Sequence, residues 1–152
     1  MTLFKTLVSW SLSVFVAFVF LQAAVLFKFA DPPGENVIFA TLAQRSGIQL
    51  FEPMLRYAVG AAEGLAALAI LIPPSRPFGA LLAVGVLLGA IGFHLSPWLG
   101  LAVPVAVGAT ETDGGGLFGF AVVTIVAAGA VVWLERGRLA RGLRRLGLSA
   151  GA

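Results

Sequence analysis

The sequence predicts an all-α membrane protein: a bundle of four transmembrane helices, with a short interfacial helix in the first outer loop and a basic, amphipathic C-terminal tail. Three observations predict it. The 152 residues are 59% hydrophobic and 11% charged, about half the charged fraction of an ordinary soluble domain. The mean hydropathy is +1.00. The apolar residues fall into four runs, each near the roughly 20 residues that cross a bilayer. Helices apolar all round need either a large protein core or lipid around them, and a chain of one domain's length is too short to enclose four of them.

The first span covers about 3–29, with Lys5, Gln22 and Lys28 as its strongly polar residues. A signal peptide has an apolar core of roughly 7–15 residues; this run is far longer and reads as a retained helix. Asp31-Pro32-Pro33-Gly34 ends it, because proline cannot continue the hydrogen-bond ladder. The following loop is mixed in polarity. Ile38, Phe39 and Leu42 share one side if it is helical, which predicts the short helix on the membrane. The second span, about 54–72, follows Pro53, a residue suited to a first turn, and Pro73-Pro74 stops it. The third, about 78–95, has Ser75 as N-cap and Pro77 in its first turn, with Pro97 at the far end. Residues 99–109 are apolar but broken by Gly100, Pro104 and Gly108; a dip into the interface and a small hairpin both fit. The fourth span, about 117–134, follows Gly114-Gly115-Gly116. In the tail, residues 135–152, Leu139, Leu143 and Leu146 stand at i, i+4, i+7 with arginines between them. That is the pattern of a helix lying on anionic lipid; a plain topology anchor fits equally.

Orientation follows from Lys and Arg. Five of the ten basic residues lie between Arg136 and Arg145. Arg76 in the second loop and Lys5 fall on the same side as this tail. The loop before the fourth span has Glu111 and Asp113 and no basic residue. The positive-inside rule then places both termini in the cytoplasm, as in a multi-pass protein of a bacterial-type plasma membrane. Trp98 and Trp133 fall near opposite boundaries, as aromatic belts prefer.

Several chemistries are set aside on residue types alone. With no cysteine, the chain makes no disulfide or thiolate metal site. One histidine cannot give bis-His haem ligation, and one intramembrane acid beside it makes a poor metal site. Gly114-Gly115-Gly116 lacks the Lys-Ser/Thr of a phosphate loop. There are no paired polar half-helices of the secondary-transporter kind, and the local basic tail of a membrane protein is not a nucleic-acid surface. The expected surroundings are the lipid bilayer and a protein partner in a membrane complex; a homo-oligomer is also compatible.

The polar residues inside the spans are the candidate site. Glu63 is the one carboxylate within an apolar run, roughly 15 Å below Pro53 at 1.5 Å per residue. An ionised carboxylate at that depth costs at least a few kcal/mol, so it should face the bundle interior with a partner or shed its charge. Arg56 and Gly60 share its helical face. Gln22 sits at similar depth on the first span and is a candidate donor to Glu63. His94, the only histidine, lies near the outer end of the third span. Lys28, Arg56, Glu63 and His94 thus form a candidate polar cluster opening to the non-cytoplasmic side, with Glu63 and His94 as proton-moving groups and Lys28, Arg56 and Gln22 as ligand-binding ones. The competing reading is structural: a Glu63–Gln22 hydrogen bond, Lys28 and Arg56 snorkelling to headgroups, His94 at the interface. Gly60 and Gly64, and Gly85, Gly89 and Gly92, predict close helix packing within the chain.

An ordered set of these residues resembles the DoxX family of integral membrane proteins. It comprises Lys28-Phe29 closing the first span, Phe39-x-x-Leu42 through Gly47 in the loop, Arg56 and Glu63-Gly64 with Leu65 and Leu68 in the second span up to Ile72-Pro73, and Ala90-x-x-x-His94 in the third. The chain departs at Gln22, where the family usually has glycine. The resemblance implies a four-helical fold and association with quinone-linked oxidoreductases or oxidant-detoxifying membrane complexes; wider relatives assist assembly of other membrane proteins. The expected function is therefore a membrane subunit of a redox-linked complex that interacts with a quinone and has no redox centre of its own. The alternatives are a non-catalytic scaffold or assembly factor, and binding of a lipid or small apolar ligand.

Overall fold

A computed structural model describes residues 3–145. The first span is one rod: α1 (Leu3–Gln22) continues into a π-helical stretch, Ala23–Phe29, closed by an i→i−5 bond from Ala30 N–H to the Val25 carbonyl at 3.1 Å. Then come α2 (Val37–Ser46), a 3₁₀ turn at Gln49–Phe51, α3 (Met54–Leu71), α4 (Arg76–His94), α5 (Gly116–Leu134) and α6 (Arg136–Arg145). Four of these rods are long and apolar enough to cross a membrane, so the chain is a multi-pass, all-α membrane protein. Among the described residues no strand forms; an isolated antiparallel bridge, Pro104 to Thr112, closes the loop before α5. The hairpin alternative for that loop is thus the one realised.

α1, α3, α4 and α5 form a closed ring in which each helix packs on two neighbours, and α1 barely meets α4 across the diagonal. The core is narrow because small residues line it: Ala17, Ala66, Ala67, Ala80, Ala83 and Ala128 are buried with Val16, Phe20, Ile70 and Val131. The large side chains Phe18, Leu65, Leu68, Leu88, Val123 and Val126 point outward. That arrangement suits lipid, where burial of apolar groups drives nothing and close backbone packing holds helices together.

The closest approach is at the α3–α4 turn. A Cβ on Gly79 would stand 2.4 Å from the Ile70 nitrogen and 2.7 Å from the Ala69 carbonyl carbon, so only glycine fits. Between the first span and α3, Gly60 makes another close contact, with a would-be Cβ 3.0 Å from the Lys28 Cβ. Gly64, Gly85, Gly89 and Gly92 have nothing within 4 Å of a would-be Cβ. The reading of the last four as helix contacts is therefore corrected: spacing places small residues on one face, but not a neighbour opposite that face. Ser75 precedes α4 as expected, yet its hydroxyl donates to the carbonyls of Ala69 in α3 and of Ile72 just beyond it rather than capping α4.

A second, smaller core sits above the bundle on the loop face. Leu42 and Ala43 of α2, Phe51, and Leu99 and Val103 of the α4–α5 loop bury one another. Asn36 caps α2 through Phe39 N–H, and Gly47 at φ 74° closes it in the left-handed conformation. The buried side of α2, which includes Phe39 and Leu42, is turned to the bundle, making α2 a lid over the ring. At the opposite, arginine-rich face, α6 folds back against α4 and α5: a Cβ on Gly142 would stand 2.6 Å from the Phe78 ring, and Leu139 and Leu143 are half-buried. The expected third leucine of that pattern, Leu146, lies outside the described residues.

Candidate functional site

Between the bundle core and the α2 lid lies a cavity of about 330 Å³. Lys28, Glu63 and His94 line it together with Ile38, Phe39, Leu42, Val59, Val86, Phe93 and Leu99. Three of the sequence-derived candidates thus converge on one mainly apolar space. Ala58, Gly85 and Gly89, which also line it, are exposed on the outward edges of α3 and α4, so the cavity opens sideways, toward lipid.

Local structure explains the convergence. The widened π-helical turns end the first span, and Gly60 lets Lys28 and Phe29 press directly onto α3. Glu63 is one turn below Gly60 on that face, and Lys28 Nζ reaches its Oε1 at 2.9 Å. Both side chains are about nine-tenths buried, at 11% and 8% exposure. The second carboxylate oxygen, Oε2, is buried with no protein partner. His94 ends α4 at the loop side. Its Nδ1 lies 3.0 Å from the Gly100 carbonyl; a carbonyl only accepts, so Nδ1 carries the hydrogen, and in the neutral ring Nε2 is then the acceptor. The ring packs edge-on against Phe118. The cavity therefore offers an ammonium with spare donors, a carboxylate oxygen and an imidazole nitrogen on otherwise apolar walls. Such a surface suits a small apolar molecule with a hydrogen-bonding head.

The other two candidates are elsewhere. Arg56 is fully buried but does not line the cavity. It pairs with Glu52 at 3.0 Å, donates to the Asp31 carbonyl at 2.8 Å and stacks on Tyr57. Neither a ligand contact nor a snorkelling charge, it ties the loop after the first span to the start of α3. Gln22 is exposed and does not donate to Glu63. Depth was the wrong guide to its role: the buried stripe of α1 includes Phe20 and, in the turn beyond, Ala24. Gln22 is two residues from each, which puts it on the far side of the helix.

Sequence reasoning missed a second polar cluster, at the arginine-rich face. Glu135, 1% exposed, accepts from Ser9 Oγ at 2.6 Å and pairs with Arg138 at 2.7 Å and Arg76 at 3.5 Å. Arg76 also donates to the Ile70 carbonyl and lies 3.8 Å over the Trp10 ring. The cluster joins α1, α3, α4 and the α5–α6 junction. The available signal was that Glu135 is the one acid on that side of the sequence. In sequence Asp113 marks only the acidic character of its loop. It organises the loop face instead, accepting from the N–H groups of Val103, Gly115 and Leu117. Partial burial pushes its carboxyl up, but those three donors, with a smaller pull from His94, outweigh it and hold it below the usual carboxylate value.

Among the described residues no group of three His, Cys, Asp or Glu side chains is arranged to hold a metal ion. Compared with family models, curated proteins and solved structures, the chain matches none.

Proposed function

We propose that the chain is a membrane subunit of a redox-linked complex that binds a quinone-class ligand in the cavity under α2. The observation that carries this reading is the shared cavity: Lys28, Glu63 and His94 line one apolar space that opens between α3 and α4 toward the bilayer, the phase in which quinones are dissolved. The volume of about 330 Å³ is at the small end of ligand pockets and suits a single substituted ring with its tail left in lipid. A quinone would supply two-electron, two-proton chemistry: its quinol form would pass two electrons to a partner protein and release two hydroxyl protons. The residues of this chain orient the ring and handle protons. Lys28 Nζ donates to one ring oxygen while keeping its bond to Glu63. The unpaired Glu63 Oε2 and His94 Nε2 accept hydroxyl protons, and the aromatic and aliphatic walls exclude water. The resemblance of Lys28, Glu63 and His94 to the DoxX pattern supports the same reading.

Purified protein, extracted and analysed for bound small molecules by mass spectrometry, is expected to release a quinone, and Glu63→Gln to release less. A phospholipid or no ligand in that extract would favour the plain lipid-binding alternative or a closed interior. The complex requires a partner, and the exposed Ile48, Leu50 and Met54 beside the 3₁₀ turn favour docking at the loop face. The scaffold alternative uses that surface without the cavity: a partner that co-purifies equally with wild type and Glu63→Gln, with oxidant resistance unchanged, would support it. The arginine-rich face supports a cytoplasmic location of both termini. Because the chain has no cysteine, single cysteines at Thr112 and Arg144 labelled with an impermeant reagent in whole cells test the orientation; only the first should react.

A further inference from the structure

The junction of α5 and α6 forms a separate pocket, of about 320 Å³, lined by Leu134, Glu135, Arg136, Gly137, Arg138 and Arg141. We propose that it binds the phosphate of an anionic glycerophospholipid, and that this site is independent of the cavity under α2. The argument begins with charge. Four arginines, Arg76, Arg136, Arg138 and Arg141, surround one carboxylate, Glu135. That carboxylate is already saturated by Ser9, Arg76 and Arg138, so it neutralises neither Arg136 nor Arg141.

Geometry holds these two groups at the pocket. The Arg136 guanidinium is kept over the Trp133 ring, 5.2 Å from its centroid. The Arg141 guanidinium folds back one turn: its Nη1 would be 3.8 Å from a Cβ on Gly137. Arg136 and Gly137 are also the opening residues of α6; the next two N–H groups, of Arg138 and Leu139, donate to the Glu135 carbonyl, which leaves those of Arg136 and Gly137 without an acceptor in the helix. Guanidinium forks and free N–H groups at one place are the recognition chemistry of a phosphate oxygen.

Position selects a lipid as the source of that phosphate. The pocket begins at Leu134, the last residue of a membrane span, and Trp133 beside it is 58% exposed, as an aromatic at the headgroup level should be. Acyl chains attached to a phosphate here run down the exposed side of α5 past Val126 and Val123. Net charge selects an anionic headgroup, because a zwitterionic one would bring its ammonium among arginines. α6 itself is not free to lie out on the bilayer surface, since Gly142 is pressed against Phe78; the contact with lipid is a defined pocket rather than a floating basic helix.

The test is lipid retention by the full chain. Protein reconstituted in phosphatidylcholine nanodiscs containing phosphatidylglycerol is released into detergent, and bound lipid is counted by native mass spectrometry. Wild type should keep phosphatidylglycerol in preference to phosphatidylcholine. The variant R136A/R141A should lose roughly 30-fold in affinity, from about fivefold per arginine. R144A/R145A, which removes as much charge outside the pocket, should stay within a few-fold of wild type. Gly137→Leu, which fills the pocket and removes no charge, should also release the lipid. Equal loss in the two arginine pairs, retention by Gly137→Leu, or no headgroup preference in wild type would each overturn the proposal. Inorganic phosphate binding to wild type as tightly as the lipid would overturn the assignment to a phospholipid.

Discussion

Lys28 Nζ and Glu63 Oε1 stand 2.9 Å apart, joining the π-helical end of the first span to the middle of α3 in a nearly dry setting. Removing one partner leaves the other charge buried, which costs about 3–5 kcal/mol, whereas replacing both with apolar groups is often neutral or stabilising. Lys28→Met and Glu63→Gln should therefore each lower the unfolding temperature in detergent markedly. The double change K28M/E63L should restore it while abolishing ligand binding. A double variant that melts as low as the single ones would show that the pair is not what the single changes disturb. This combination separates a structural role, which the double change rescues, from a chemical one, which it does not.

Arg56 is expected to behave differently. Its guanidinium serves Glu52, two backbone carbonyls and the face of Tyr57 at once. A lysine ammonium has one charge centre and no planar fork, so it cannot reproduce that set. Arg56→Lys should lose about 2 kcal/mol or more of stability and leave ligand affinity per folded molecule unchanged. The measurement is a paired melting and binding experiment on the same preparation. A selective loss of affinity with normal melting would return Arg56 to the ligand site.

These two residues show what was legible beforehand. The spans, their proline-defined ends and the inward direction of Glu63 follow from the cost of polar groups in lipid, which sequence displays directly. The meeting of Lys28, Glu63 and His94 was legible only as a common placement toward the outer half of the bundle, and depth fixes one coordinate of two. Azimuth decided the rest: Gln22 has the right depth and the wrong face. Arg56 has both, but its side chain reaches upward to carbonyls of the 31–32 turn, and backbone acceptors carry no sequence signal. The same holds for Asp113, whose partners are three N–H groups. Glu135 was hidden by its neighbours: within a run of arginines a single acid reads as a solvated charge, although its partners Ser9 and Arg76 are supplied by other helices.

Asp113 predicts a pH response of the loop face. Its folded-state carboxyl is held below the ordinary value of 3.8. A depressed value means that the stability it contributes is fully present above the unfolded-state value, and is lost as pH falls through the folded one. Protection of the Val103 and Leu117 amides from deuterium exchange, relative to the intrinsic rate at each pH, should be high at pH 5 and above and fall as pH drops below about 4. Asp113→Asn should abolish that dependence and speed exchange at neutral pH, through loss of charge-assisted bonds worth about 1 kcal/mol each. Protection at Val103 that is indifferent to both pH and the substitution would mean that other contacts hold the loop.

The glycines of α4 offer the sharpest separation of cavity from core. Gly79 meets the backbone of α3 at 2.4 Å from a would-be Cβ, whereas Gly85 and Gly89 meet nothing within 4 Å and border the cavity opening. Gly79→Ala must push two helices apart and should cost about 3 kcal/mol, the upper range for overpacking, or prevent the protein from accumulating. A Cβ on Gly89 meets nothing within 4 Å, and replacing an interior helical glycine by leucine favours the helix by up to about 1 kcal/mol. Gly89→Leu should melt at or above the wild-type temperature. Its side chain nonetheless occupies the mouth between α3 and α4, so binding of a quinone-class ligand should fall at least about tenfold, equivalent to about 1.4 kcal/mol. Binding unchanged in a stable Gly89→Leu protein would mean that the ligand does not enter from the bilayer between these helices. Loss of binding together with loss of folding would contradict the open space around Gly89. Only a stable protein that no longer binds agrees with a cavity reached sideways from lipid.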